Sequence, residues 1–524
     1  MTRSTPRLVA LLAILFFVLA GYSVAEAQTS KKKTTKKTTA KKKTPPKKTT
    51  KKKTPARKTV APAIAIAVGN TFEERLGSLV NGSIARSADA GIQVVDVESG
   101  RVAGERNPHL ALAPASNMKI FTTAAAIDLL DRDFQVTTPV YVRGEVDPAG
   151  TLQGDVKIVG RGDPTIGGRF HDGQATAVLQ EWASDLKRAG IKTVRGNLVF
   201  EYGYFDTEYI HPTWPVDQLV NWYEAPIASL SMQEGCVAVR VLPSRSGKRC
   251  VVQLEPPTGY VKVENSCTTG RGLPFVTRHR GTNTVIVRGG VPARSGSSEI
   301  FVTVENPIHY FAAVTAETFA RSGIRVDGEV HIVPRDPRPD WRLVTQHSTP
   351  LSVIVYVINK KSQNHYAEQL LKILGAEKGA GGSWAAGNRV VADWAVRQAG
   401  VPASEFTPVD GSGMSRNNRA TAHAFIQVLR HMWRSPGRQD FVSSMPYSGD
   451  PDSKFGNRLR QAPYARQVYA KTGYIGGVVG LSGYVHAKSG KVYAFSFLFN
   501  RYRVGVYAIY RLQDAMLKEI IDNG

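Results

Sequence analysis

A serine followed three residues later by a lysine can supply a nucleophile and its base, and this spacing occurs three times in the chain. The copies are Ser30/Lys33, Ser116/Lys119 and Ser184/Lys187. On a helix the two residues share one face, and a lysine kept neutral by burial can take the proton of the serine hydroxyl. The second copy opens an apolar segment directly after a proline, where helix amides can face an oxyanion. The first copy lies in a lysine-rich tail and the third in a polar helix, so the sequence favours Ser116 as nucleophile and Lys119 as base.

A Lys-Thr-Gly triplet and two Ser-x-Asn pairs supply further polar groups downstream. The pairs are Ser362/Asn364 and Ser415/Asn417. At the end of a predicted strand, Lys471 and Thr472 can hold a substrate carboxylate, while Gly473 lets the backbone come close. Each Ser-x-Asn pair, taken alone, also suits ordinary helix capping or turn formation. The order Ser-x-x-Lys, Ser-x-Asn, Lys-Thr-Gly is typical of serine acyl enzymes that bind penicillin.

Other sources of chemistry are weak in this sequence. It has no Gly-x-Ser-x-Gly elbow and no HExxH segment, and its 11 histidines are scattered. His365 and His423 lie near the motifs, so a Ser-His-Asp site is left open without being indicated. Cys236, Cys250 and Cys267 are too few for a disulfide scaffold and too sparse for a metal site. One pair of them can form a local bridge in an oxidising compartment, but the sequence does not select the pair. Neither a metal nor an organic cofactor is predicted.

The elements that must position these groups form an α+β pattern with a large insertion. Strands are predicted over 91–97, 102–106, 467–471, 478–486 and 492–500, and helices over 71–85, after 114, over 363–374, 385–399 and 506–521. Between about 135 and 345, short strands alternate with Gly, Pro and Asp turns, which indicates one or two β-rich inserted modules. The predicted organisation is one split domain, 61–134 and 346–524, around an inserted region, 135–345.

The first sixty residues carry an export signal and a basic tail. Two arginines, an apolar run over 8–21 and the sequence Ala25-Glu26-Ala27 predict a signal peptide over 1–27, cleaved before Gln28. An uncleaved signal anchor is the alternative, because residues 8–25 give 18 mostly apolar residues, which is just long enough to span a membrane. Either way, most of the chain is expected outside the cytoplasm, in the periplasm or cell envelope.

Most of the excess positive charge lies in that same segment. The net charge is +25, and residues 1–60 hold 17 Lys and Arg against one acidic residue. Residues 28–60 have nothing to bury and repel one another, so this tail is expected to be disordered. It is either a solubilising spacer or a tether to anionic lipid or a wall polymer. The remaining 464 residues hold 51 basic and 42 acidic side chains, which argues against a nucleic-acid partner.

Four segments resemble a known family: PASNMKIFTTAAA, NKKSQNHYAEQLL, DGSGMSRNN and AKTGYIGGVVGLSGYV. They are similar to the D-Ala-D-Ala carboxypeptidase/endopeptidase family of class C low-molecular-mass penicillin-binding proteins (peptidase family S13), and the similarity covers about 70–524. It implies a serine β-lactamase/DD-peptidase-like α+β domain, an antiparallel sheet with helices, interrupted by β-rich inserted domains. It also favours Ser362 and Asn364 over the second Ser-x-Asn pair.

The same resemblance implies the roles of the motif residues. Ser116 Oγ attacks the carbonyl of the penultimate D-alanine of a peptidoglycan stem peptide, and Lys119 takes its proton. Ser362 passes a proton to the leaving amine, and Asn364 orients Lys119 and the substrate amide. If the acceptor amine came from a neighbouring stem peptide, the same chemistry cuts a cross-link. β-Lactams are expected to acylate Ser116, because they mimic the same carbonyl.

Further positions are implied as substrate contacts. Lys471 and Thr472 bind the terminal carboxylate, and the amide of Tyr474 completes an oxyanion hole with that of Ser116. A small residue is expected after Lys-Thr-Gly, so the tyrosine is a departure that can narrow the site. The segment 162–165, Gly-Asp-Pro-Thr, resembles a family stretch whose aspartate, here Asp163, helps bind the free end of the diamino acid; a plain turn is the alternative.

Two other functions are compatible with the motifs. One is a β-lactamase-like or esterase-like hydrolase that uses the same residues on another substrate, against which the large insertion argues. The other is a non-catalytic wall-binding protein attached through the basic tail, against which the intact motifs argue.

Overall fold

The computed structural model describes residues 67–524, so the predicted signal peptide and basic tail lie outside the described residues. These residues belong to one compact unit, Ile64–Gly524. Its α-helices are α1 (Phe72–Val80), α2 (Ser83–Arg86), α3 (Met118–Leu129), α4 (Ala177–Arg188), α5 (Pro307–Arg321), α6 (Leu351–Lys360), α7 (Asn364–Lys378), α8 (Trp384–Arg397), α9 (Ala422–Arg434), α10 (Arg438–Ser444) and α11 (Val506–Asn523).

The β-strands are short in the middle of the chain and longer towards its ends. They are β1 (Asp89–Asp96), β2 (Val102–Arg106), β3 (Gln135–Arg143), β4 (Thr151–Leu152), β5 (Asp155–Val159), β6 (Thr193–Val194), β7 (Leu198–Glu201), β8 (Cys236–Leu242), β9 (Val251–Glu255), β10 (Lys262–Asn265), β11 (Thr268–Thr269), β12 (Pro274–Arg278), β13 (Thr284–Val291), β14 (Ser298–Thr303), β15 (Arg325–Val326), β16 (Val330–Val333), β17 (Arg342–Pro350), β18 (Phe406–Thr407), β19 (Arg419–Ala420), β20 (Val468–Ile475), β21 (Val478–His486) and β22 (Val492–Asn500).

The central sheet joins the two ends of the described chain. Its five strands run in the order β2-β1-β22-β21-β20, and every neighbouring pair is antiparallel. Asp89 of β1 is paired with Asn500 of β22, so the first strand lies beside the last one. β20 is an edge strand, so the backbone N–H and C=O groups on its outer side are not paired with another strand of this sheet.

Side chains of the central sheet alternate between two hydrophobic cores, because successive residues of a strand point to opposite faces. On β22, Phe495 and Phe497 join the core formed with α1 and α11. Ala494 and Leu498 join the core formed with helices α3 and α6–α9. Burial of each phenylalanine stabilises the fold by about 1.5–3 kcal/mol. On β20, Val468 and Ala470 face α11, so the odd-numbered residues of that strand face the helical core.

The region between β3 and β17 forms its own sheets and core. A mixed five-stranded sheet has the order β16-β7-β5-β3-β17, and smaller sheets follow the orders β14-β8-β9 and β10-β13-β11, with β12 paired to β13. Two helices pack here: Trp182 of α4 and Phe311 of α5 have ring centroids 6.3 Å apart. The 15-residue helix α5 is not predicted by the sequence patterns. β17 also extends across the predicted boundary at 345, and the domain limits stay a prediction.

The predicted strands and helices agree with the structure only in part. The bounds of β2, β21 and β22 agree with the sequence prediction, whereas the single helix predicted over 71–85 is divided into α1 and α2 around Asn81 and Gly82. Helices α6 and α9 were not predicted. Within residues 67–524, no helix is both long and apolar enough to cross a membrane.

Candidate active site

Ser116 lies in a 3-10 turn, Ala115–Asn117, that leads directly into α3. Lys119 stands in the first turn of that helix, and its Nζ is 3.2 Å from Ser116 Oγ. The lysine is fully buried, while the serine is half-buried. The helix is apolar on nearly every side, since residues 118–126 are all buried. The pair therefore combines a reachable hydroxyl with an amine held out of water.

The surroundings of Lys119 make the neutral amine accessible near neutral pH, and this form can accept a proton from Ser116. Its Nζ is 2.7 Å from both Asn364 Oδ1 and the carbonyl oxygen of Ser412. Burial lowers the pKa of Lys119 to about 7, against the opposing attraction of two carboxylates, those of Glu368 and Asp410. A neutral amine has two N–H groups and one lone pair. The two short contacts use both N–H groups, which leaves the lone pair for the hydroxyl of Ser116.

Two buried carboxylates fix the loop 410–418, Glu368 from α7 and Asp410 from within the loop itself. Glu368 accepts hydrogen bonds from the amides of Gly411 (3.0 Å) and Ser412 (2.7 Å). Asp410 accepts bonds from the amides of Gly413 and Ser415. Glu368 follows Asn364 by four residues on α7, so both lie on one face of that helix. Because the loop is fixed in this way, the Ser412 carbonyl is presented to Lys119. Neither carboxylate was singled out from the sequence.

Ser362 and Asn364 stand where α6 ends and α7 begins. Ser362 has a φ of +58°, a left-handed conformation that costs a residue with a side chain about 1–2 kcal/mol. Asn364 is the first residue of α7; its Oδ1 accepts from Lys119, and its Nδ2 donates to the Tyr223 carbonyl at 2.8 Å. Tyr223 belongs to the inserted region and was also not predicted. The contact with the inserted region therefore orients the Asn364 amide so that its oxygen faces Lys119.

Lys471 occupies the edge strand β20 and points toward the helical core. Its Nζ donates to Ser362 Oγ and to the Thr472 carbonyl, each at 2.8 Å. Burial and the neighbouring Lys119 and Lys454 groups hold the pKa of Lys471 well below its usual range. An anion that enters beside this amine would relieve the repulsion, so the position suits a carboxylate ligand.

Glycines allow the strand and the loop to approach the Ser116 turn. A Cβ on Gly473 would lie 2.8 Å from the Pro114 carbonyl oxygen and 3.1 Å from the Asn117 amide nitrogen. A Cβ on Gly413, whose φ is +84°, would lie 1.9 Å from the Ala115 carbonyl oxygen. All three contacts are with backbone atoms, which cannot move aside without shifting the chain. The turn is therefore clamped between β20 and the loop 410–418.

The comparisons with known proteins agree with this geometry. The profile of the D-Ala-D-Ala carboxypeptidase 3 (S13) family matches residues 76–518. The chain belongs to this family. It is 32% identical over 460 residues to a D-alanyl-D-alanine carboxypeptidase of Actinomadura sp., with 84% of this chain and 83% of that protein covered.

Solved structures show the same fold. The crystal structure of penicillin-binding protein 4 (dacB) from Haemophilus influenzae matches with a TM-score of 0.72 at 21% identity, covering 85% of this chain and 99% of that one. The same protein complexed with a β-lactam matches with a TM-score of 0.68 at 22% identity, covering 84% and 98%. The predicted α+β fold is thereby confirmed, and the serine-type D-Ala-D-Ala carboxypeptidase function is confirmed by the family match and the Actinomadura relative. The chain is an enzyme of this family.

The five residues predicted as catalytic come together in this family member. Ser116, Lys119 and Asn364 form one hydrogen-bonded group, and Lys471 with Ser362 forms the other. The three predicted substrate contacts that follow Lys471 on β20 differ in exposure. Thr472 is half-buried, Gly473 is buried and Tyr474 is 57% exposed.

Asp163 is placed apart from that group. Its carboxylate is buried and accepts hydrogen bonds from the Thr165 amide (2.9 Å), the Thr165 hydroxyl (2.7 Å) and the Thr349 hydroxyl (2.7 Å). His347 Nε2 lies 3.7 Å from it. These bonds tie the 162–165 turn to β17, as expected for the alternative of a structural turn. Its role toward the diamino acid stays a prediction.

The remaining candidates have other partners. Ser415 of the loop 410–418 accepts a hydrogen bond from the Thr213 hydroxyl at 2.7 Å. The serine that accepts from Lys471 is Ser362 instead. His365 is buried with Nε2 3.1 Å from Ser231 Oγ, and burial lowers its pKa to about 3. The imidazole is therefore neutral and engaged away from the nucleophile.

His423 belongs to a cluster that could hold a metal ion. Its Nδ1 is 2.8 Å from Glu405, whose other oxygen is 2.6 Å from His109 Nδ1. The three donor atoms lie within 4.8 Å of one another. His423 also donates its backbone N–H to the Pro108 carbonyl, so the cluster ties the segment before Ser116 to α9. The prediction of no metal stays a prediction.

Proposed function

We propose that the enzyme removes the terminal D-alanine of peptidoglycan stem peptides through an acyl-enzyme on Ser116. The observation that carries the mechanism is the position of Lys119 Nζ, 3.2 Å from Ser116 Oγ, with two shorter contacts that use up its N–H groups. A buried lysine amine that is neutral can act as the general base for the Ser116 hydroxyl. On this basis Ser116 is the nucleophile and Lys119 the base.

Acylation joins Ser116 Oγ to the carbonyl carbon of the penultimate D-alanine while the hydroxyl proton moves to Lys119. The developing oxyanion is bound by the backbone amides of Ser116 and Tyr474, each contributing about 3 kcal/mol. Lys471 and Thr472 hold the terminal carboxylate. The C–N bond then breaks, and the leaving amine takes a proton from the Ser362 hydroxyl. Ser362 recovers a proton from the protonated Lys119, so the lysine amine is neutral again when the acyl-enzyme has formed.

Deacylation uses the same groups on water. Lys119 takes a proton from water as the water oxygen attacks the ester carbonyl carbon. The bond from that carbon to Ser116 Oγ then breaks, and Ser116 Oγ takes the proton back from Lys119. When the departing amine belongs to a neighbouring stem peptide instead of free D-alanine, the same bond cleavage opens a cross-link. DD-endopeptidase activity is therefore part of the proposal.

The site of action follows from this substrate. Peptidoglycan lies outside the cytoplasm, and the sequence predicts a signal peptide over 1–27, so extracytoplasmic action is proposed. β-Lactams are proposed as covalent inhibitors, supported by the H. influenzae relative solved with one. Attachment of the 28–60 tail to anionic lipid or a wall polymer stays a prediction.

The test is the intact mass of the purified full chain after incubation with benzylpenicillin, beside a Ser116→Ala control. One covalent adduct, present in the parent, absent in the control and mapped to Ser116, is expected. No adduct on a folded, monodisperse parent would refute the mechanism. Release of D-alanine from an acyl-D-Ala-D-Ala peptide, compared with hydrolysis of a simple ester, then distinguishes the carboxypeptidase from the esterase-like alternative.

A further inference from the structure

Two of the three cysteines face each other in the inserted region. Cys250 precedes β9 and Cys267 precedes β11, and their Sγ atoms are 3.0 Å apart. Their backbones are paired as well, because the Cys250 N–H donates to the Cys267 carbonyl at 2.9 Å. Neighbouring backbones in such a ladder have the Cα separation that a disulfide needs. A covalent bond between the two sulfurs would therefore require only side-chain adjustment.

Asn265 reinforces this pairing with both ends of its amide. Its Nδ2 donates to the Cys250 carbonyl at 2.8 Å, and its Oδ1 accepts from the Cys267 N–H at 3.0 Å. The next residues outward, Arg249 and Thr268, form an antiparallel bridge. The two cysteines are thus held in register from both sides.

Cys236 has different neighbours. It is the first residue of β8, where its register partner is Thr303 of β14, and its carbonyl accepts from the Tyr310 hydroxyl. Its thiol is buried. The structure thus selects the pair that the sequence leaves open.

We propose that Cys250 and Cys267 form a disulfide in the exported protein, with Cys236 left as a thiol. The two thiols lose two protons and two electrons, and one S–S bond forms. The electrons go to a protein thiol–disulfide oxidant of the extracytoplasmic compartment, whose own disulfide becomes two thiols through a mixed-disulfide intermediate. The inference rests on the proposed site of action but not on the catalytic mechanism.

Burial limits when this bond can form. Both thiols are buried, and burial with the neighbouring Cys250 thiol raises the pKa of Cys267 to about 12. Exchange requires a thiolate, so a folded and reduced chain reacts slowly. The bond is therefore made while the inserted region is still folding.

The test counts free thiols by mass. The full chain, purified from an oxidising compartment, is unfolded without reductant in the presence of N-ethylmaleimide. One adduct is expected, on Cys236, and three after reduction. A Cys236→Ser variant is expected to give no adduct before reduction and two adducts after it. Three adducts on the unreduced parent, or a mapped bridge that contains Cys236, would overturn the proposal.

A second measurement separates this proposal from the catalytic one. A Cys250→Ser/Cys267→Ser variant is expected to acylate with benzylpenicillin at the parent rate, while its inserted region is cleaved at least about tenfold faster by a protease. Unchanged protease resistance would contradict a stabilising bridge. If the variant does not fold, the parent with and without prior reduction gives the same comparison. Failure of acylation in the parent would instead count against the mechanism and leave the thiol count unaffected.

Discussion

Lowering the pH should switch off acylation by protonating Lys119. The amine is the proposed base only when it is neutral, and burial lowers its pKa to about 7. The neutral fraction is then roughly 9% at about pH 6 and roughly 91% at about pH 8. The second-order rate constant for penicillin acylation, which reports the free enzyme, should therefore rise about tenfold between these values and level off above them.

The assay is acylation by a fluorescent penicillin, followed in the pre-steady state over a range of pH. Circular dichroism at each pH confirms that the protein stays folded. Lys119→Arg is the matched control, because a guanidinium keeps the positive charge and cannot become neutral in this range. This variant should acylate slowly at every pH. A parent profile that is flat between about pH 6 and pH 8, or an arginine variant that keeps the parent rate, would refute the assignment of the base.

The clamped turn, the strained serine and the buried lysine of β20 each allow a further prediction. Gly473→Ala places a Cβ against two backbone groups, so we expect acylation to fall at least about tenfold and the free energy of unfolding to drop by about 1–3 kcal/mol. Gly476→Ala, whose Cβ would meet one flexible arginine end at 3.4 Å, should change neither in the same assays. Ser362→Gly and Ser362→Ala both remove the proposed proton donor and should slow acylation by about 10²–10⁴-fold. Only the alanine is strained at a φ of +58°, so denaturant unfolding should separate the two by about 1 kcal/mol, and equal stabilities would contradict the strain. A bound carboxylate should raise the lowered pKa of Lys471, so binding of an acyl-D-Ala-D-Ala peptide to a variant without the nucleophile should take up protons at pH values between the pKa of the free site and that of the occupied one. Calorimetry in buffers of different ionisation enthalpy measures this uptake over a range of pH, and zero uptake at every pH would contradict a pKa that rises on binding.

Sequence patterns predicted the parts of the molecule whose signals are local. The alternation of β21 and β22 reflects a sheet with cores on both faces. Ser116 and Lys119 are only three residues apart, across the 3-10 turn that leads into α3. Helix α6 is rich in β-branched residues, which disfavour helix by propensity, and it forms because its buried side chains pack in the helical core.

The supporting contacts of the site were hidden for a different reason. Glu368 acts on a loop some forty residues further along the chain, and Tyr223 contributes only a backbone carbonyl. A contact made by a backbone carbonyl does not depend on residue type, so the sequence does not indicate it. A contact between segments far apart in the chain has no characteristic spacing that could predict it. These partners become visible only when the fold brings the segments together.

The pairing of β1 with β22 has a consequence for biosynthesis. The sheet that carries Lys471 closes only when its last strand is present, because β22 lies between β1 and β21. The nucleophile is translated long before the residues that complete its site. A growing chain therefore carries Ser116 without a working acylation centre, and the enzyme can become active only after β22 has been synthesised. Such contacts between distant segments also slow folding, so activity should follow release of the chain with a delay.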